Sequence, residues 1–65
     1  MEVVSTFENL GWEVKRQRGS HIIMSKSGHI ATLSIPKHKQ VARGTLRFLI
    51  KLSGEKFEDF LDALK

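Results

Sequence analysis

Apolar residues along this chain change their spacing twice, from helical to alternating and back, and that limits the folds open to it. Val3, Val4, Phe7 and Leu10 fall on one helical face and Gly11 supplies a stop, which predicts a short helix over residues 2–10. The chain then turns extended from Trp12 to Lys15, and residues 15–20 read as a charged connection. Period two over about residues 21–25 places Ile22 and Met24 on one side of a strand and His21, Ile23 and Ser25 on the other. Lys26-Ser27-Gly28 has the chemistry of a hairpin turn. A third strand over residues 29–35 then sets Ala31, Leu33 and Ile35 on its apolar side until Pro36 ends it. After a basic loop over residues 37–43, Gly44-Thr45 opens a second helix, with Thr45 as its N-cap and Gly54 as its C-terminal cap. Leu46, Phe48, Leu49, Ile50 and Leu52 give that helix a broad apolar face. Phe57, Phe60, Leu61 and Leu64 repeat the pattern in a last short helix over residues 55–64.

This order predicts an α+β fold, α-β-β-β-α, with a three-stranded antiparallel sheet and helices on one face. That is the layout of a double-stranded-RNA-binding domain, a module that reads A-form shape and phosphates more than sequence. Sixty-five residues make one domain, 1–65, with a small core. Phe7, Trp12, Phe48, Phe57 and Phe60 are expected in that core rather than as base-stacking platforms, because each sits on its segment's apolar face. In this register His21 projects from the uncovered face of the sheet, whereas a slip of one residue would bury it.

Charge is divided by position. The acids are Glu2, Glu8 and Glu13 at the start and Glu55, Glu58, Asp59 and Asp62 at the finish, with none from Val14 to Gly54. That middle stretch carries Lys15, Arg16, Arg18, Lys26, Lys37, Lys39, Arg43, Arg47 and Lys51, together with His21, His29 and His38. A field of one sign concentrates a polyanion by steering and counterion release, so nucleic acid is the leading partner class and RNA-backbone contact the expected role of these cations. The absence of cysteine removes disulfides, thiolate metal sites and a thiol nucleophile, and fits a reducing cytoplasm. Apolar runs only three residues long, and no basic-then-apolar leader, predict a soluble, unexported protein with no membrane partner.

The residue types narrow the chemistry further. A seryl triad needs an orienting acid and a nucleophile elbow, and the basic stretch has neither. The histidines stand eight and nine apart (21, 29, 38), away from metal-ligand spacings, and no phosphate-binding P-loop is present, so neither metal nor cofactor is expected. Histidine remains as the group that moves protons near neutral pH. RNA brings its own nucleophile, the 2′-hydroxyl, so a base, a cation and an acid suffice to cut it. His21 after Gly19-Ser20 is the best-placed residue: Gly19 lets backbone approach a phosphate and Ser20 can donate a hydrogen bond. Composition alone leaves His21 open between a catalytic group, a phosphate contact and a plain surface residue. His29, beside a turn glycine, is expected at the surface.

The chain resembles a known family in Gly11-Trp12, in Arg16-Gln17-Arg18-Gly19-Ser20-His21-Ile22-Ile23-Met24, in Ile35-Pro36-Lys37-His38, and in Gly44-Thr45-Leu46-Arg47 with Ile50 behind it. These residues look like the HicA toxins of prokaryotic toxin-antitoxin pairs, and the likeness covers nearly the whole chain. The resemblance implies a ribonuclease that cuts messenger RNA and so blocks translation, with a HicB-type antitoxin covering the active site. It places the catalytic histidine on His21. Many members follow that histidine with a second one; Ile22 stands there in this chain. Around His21, the expected RNA-binding residues are Arg16, Arg18, Gly19, Ser20, Lys37, His38, Lys39, Arg43 and Arg47. The rival readings are a non-catalytic double-stranded-RNA-binding module of the same fold and, less in keeping with the central strands, a helix-turn-helix-like DNA binder.

Overall fold

The computed structural model describes residues 2–37 and 41–64. Six elements follow one another: α1 (Val3–Asn9), β1 (Glu13–Arg18), β2 (His21–Ser25), β3 (Leu33–Pro36), α2 (Arg43–Ser53) and α3 (Phe57–Ala63). The strands form one antiparallel sheet in the order β1-β2-β3, so the α+β expectation holds, with α3 closing the chain.

The register decides which side of the sheet is covered. Ile22 lies opposite Ile35, and Met24 opposite Leu33. Residues paired in this way share a face. Met24, Leu33 and Ile35 are all buried, which makes theirs the covered face. They join Val3 and Phe7 of α1, Trp12, Leu46, Leu49 and Ile50 of α2, and Phe60 of α3 in one core. The ring of Phe7 is its centre, 5.1 Å from Phe60 and 6.2 Å from Trp12 between centroids.

β1 runs on to Arg18 through residues whose polarity reads as a connection. Arg18 pairs with His21, leaving Gly19 and Ser20 as a two-residue turn. Gly19 adopts φ 60°, and among the described residues only glycines have positive φ. A type II′ hairpin asks for that combination, since only its first turn residue needs a left-handed backbone.

Three expectations are corrected. The third strand begins at Leu33 rather than at residue 29, because the chain folds inward at His29, whose amide donates to Lys26 O at 3.0 Å. The His29 ring then packs 5.0 Å from that of Trp12, and Ile30 is left fully exposed. Thr45 is not an N-cap; α2 starts at Arg43 behind Ala42, with no side-chain capping bond, and Gly54 closes it in the left-handed conformation as expected. Phe48 and Phe57 do not enter the core: they are 62% and 50% exposed, and Leu52, Leu61 and Leu64 are exposed as well. The arc of α2 that meets the sheet holds Leu46, Leu49, Ile50 and Ser53, and three strands are too narrow to cover a wider stripe. Among the described residues, no helix is long and apolar enough to cross a membrane.

Candidate nucleic-acid interface

His21 opens the central strand, with Arg18 opposite it on β1 and Pro36 opposite it on β3. Strand alternation puts it on the face away from Met24, so it is exposed on the uncovered side of the sheet. Arg16 and Arg18 share that side through an irregularity. Val14 pairs with Met24, Arg16 with Ile23, and the register shifts between them at a bulge. Without the bulge, alternation from Val14 would turn Arg16 and Arg18 toward the helices. With it, both guanidinium groups lie on the face of His21, an instance of a bulge re-aiming side chains. Ser34, exposed and opposite Ile23, completes the row. It was not among the residues singled out from the sequence, although its alternation with Leu33 and Ile35 places it on this side.

Backbone contacts draw the turn and the end of β3 together. Lys37 N donates to Ser20 O at 2.6 Å, which brings Lys37 beside Gly19-Ser20-His21. Gln17 Nε2 donates to Gly19 O at 3.3 Å across the turn. A Cβ on Gly19 would meet nothing within 4 Å among the described residues, so there the glycine answers to φ alone. Arg16, Arg18 and His21 therefore share one corner of the open sheet, with the backbone of Gly19, Ser20 and Lys37 at its edge. His38 and Lys39 lie outside the described residues. Arg43 and Arg47 belong instead to the helix layer behind the sheet. Arg47 lines a separate groove of about 520 Å³ with Ile50, Lys51, Glu55 and Phe57.

His29 has a different setting from the one expected. It is half-buried against Trp12, and its Nδ1, like Trp12 Nε1, is buried without a hydrogen-bond partner among the described residues. A side chain at Gly54 would come within 3.3 Å of its Nε2, so the ring fits beneath the C-terminal cap of α2 as a packing element.

The corner around His21 is a surface suited to a polyanion. Two guanidinium groups can compensate phosphate charge, and the imidazole is the side chain among them whose chemistry suits proton transfer. The carboxylate on this face of β1, Glu13, pairs with Ser25 at the far end of the hairpin, so it leaves the field at His21 positive. Among the described residues, no three His, Asp or Glu side chains gather as a metal-binding group.

A family model described as the HicA toxin of bacterial toxin-antitoxin matches residues 1–54, from the start of the chain to the Gly54 cap of α2. No curated protein and no solved structure matches the chain.

Proposed function

This chain belongs to the HicA toxin family of toxin-antitoxin systems, and from that premise we propose that it is a metal-independent endoribonuclease that cuts messenger RNA and blocks translation. The observation that supports this reading most is the bulge in β1, which sets Arg16 and Arg18 on the open face with His21. In the proposed reaction, His21 takes the proton of a ribose 2′-hydroxyl, or returns one to the leaving oxygen. O2′ attacks the adjacent phosphorus and the P–O5′ bond breaks, leaving a 2′,3′-cyclic phosphate on one fragment and a 5′-hydroxyl on the other. Arg16, Arg18 and Lys37 stabilise the charge that builds on the phosphorane oxygens. The open turn at Gly19-Ser20 admits the backbone of the RNA, with Ser20 as a donor. His38 and Lys39, next in the chain after Lys37, extend the contact along the strand, whereas Arg43 and Arg47 on α2 lie behind the sheet and stay outside it.

A family of toxin-antitoxin systems implies an antitoxin partner. In this reading the partner is a HicB-type protein that silences the enzyme by covering the basic corner, and the site of action is the cytoplasm.

A second reading is a module of the same fold that holds RNA without cutting it. It is favoured by one observation: Arg18 and Pro36 are the residues paired with His21, so among the described residues no second proton-transfer group is paired with it in the sheet. Substrate chemistry separates the two. An RNA oligonucleotide should be cleaved to a 2′,3′-cyclic phosphate, and the same sequence with 2′-deoxyribose at the cleaved position should bind and stay whole. Cleavage of the deoxy substrate would refute the 2′-hydroxyl mechanism, and intact RNA in both cases would leave the binding module.

A further inference from the structure

Helix α3 begins beyond residue 54, where the family match ends, and it presents a surface that the ribonuclease reading does not use. Phe57, Leu61 and Leu64 recur at i, i+4 and i+7, so they line one flank, and they are 50%, 43% and 37% exposed. One position further round the helix, Glu58 and Asp62 form an exposed acidic row. Across the groove, α2 presents a basic row at the same interval, Arg43, Arg47 and Lys51, all exposed. Arg47 and Lys51 line the groove of about 520 Å³ together with Phe57.

Basic and apolar side chains thus meet at the groove, where Glu55 is already paired with Lys26, and Glu58 and Asp62 follow one helix position beyond Phe57 and Leu61, an arrangement a twofold interface can use. Rotating a second copy by half a turn lays apolar row on apolar row and places each acidic row against the other copy's basic row. We propose that the α2–α3 face is the interface of a symmetric homodimer, in which each copy lays its α3 along the groove of the other. A standard interface hides about 800 Å² per partner. Against a total surface of 4719 Å² that is roughly a sixth of the chain, a large share to ask of a face built on two short helices. The dimer is accordingly weak and salt-sensitive, held by a small apolar centre with charged rims.

Sedimentation equilibrium at low salt, from about 5 to about 500 µM, reads it directly. The mass should rise from 7.4 kDa towards twice that value. Arg47→Glu/Lys51→Glu makes both rims acidic, and Glu58→Lys/Asp62→Lys makes both basic, so each variant alone should remain monomeric. Mixed in equal amounts they should associate, because every rim then faces its opposite. All four positions are exposed, so the substitutions leave the core intact, and far-ultraviolet circular dichroism checks that they do. The readout is mass, which the fate of the RNA does not move. A parent that stays monomeric across the range, or a mixture that fails to associate, overturns the proposal. So does a monomeric parent that retains the co-expressed antitoxin while Arg47→Glu/Lys51→Glu loses it, an outcome that assigns the face to the antitoxin.

Discussion

Phe48 and Phe60 occupy comparable places in the hydrophobic pattern, yet truncating them should have unequal effects. Phe60 is fully buried and its ring centroid lies 5.1 Å from that of Phe7. Phe60→Ala loses the transfer energy of the ring, leaves a cavity beneath α3 and removes an aromatic pair, for a cost of about 3–5 kcal/mol. A domain of this length has roughly 3–10 kcal/mol of stability in all, at about 0.05–0.15 kcal/mol per residue. The variant should therefore lose from about a third to all of the parent's stability, with its urea midpoint falling in proportion. Phe48 is 62% exposed and leaves no enclosed cavity, so Phe48→Ala should cost under about 1 kcal/mol. Urea titration followed by Trp12 fluorescence measures both, because Trp12 is 2% exposed in the fold and meets water on unfolding. Equal midpoints for the two variants, or a larger loss for Phe48→Ala, would refute the packing described here.

Further outcomes follow from the same geometry. Ser53 is buried, its hydroxyl donates to Ile50 O at 2.6 Å, and it accepts from Glu55 N at 3.2 Å. Ser53→Ala leaves that amide unpaired and should lower stability by about 1–2 kcal/mol in the same titration. Gly19→Ala places a Cβ in open space but at φ 60°, so its cost, about 1 kcal/mol, is conformational; a neutral result would contradict the type II′ turn. Arg18→Gln should weaken RNA binding and reduce the slope of log affinity against log salt by about 0.7 on a single strand, whereas an unchanged slope would remove Arg18 from the backbone contact.

Alternation carried the central part of this fold. Met24, Leu33 and Ile35 declare one face by their polarity alone, and His21 follows onto the other because strand neighbours alternate. What alternation could not give is the orientation of Arg16 and Arg18. Lys15-Arg16-Gln17-Arg18 is polar throughout, so nothing in its pattern marks a strand, still less the bulge that reverses its faces. That strand is made by pairing with β2, a tertiary contact. Lys37 joins the site through a backbone bond to Ser20 that leaves no trace in residue type. The aromatic residues misled for a different reason. Helical periodicity defines a stripe, but how much of it is buried depends on what covers it. Phe48 lies outside the arc that α2 lays on β3, and Phe57 outside the arc of α3, where Phe60 is buried against Phe7 of α1. His29 is expected at the surface from its turn, and only the fold brings it against Trp12.

The central claim is that His21 moves the proton in a metal-free cleavage. Purified protein freed of its antitoxin, incubated with a structured messenger RNA in EDTA beside a folded His21→Ala variant, tests it most directly. The parent should cleave the RNA, and the variant should be slower by at least about 100-fold while still binding it. Equal rates from both proteins, or a parent that cuts only when a divalent metal is restored, would contradict it.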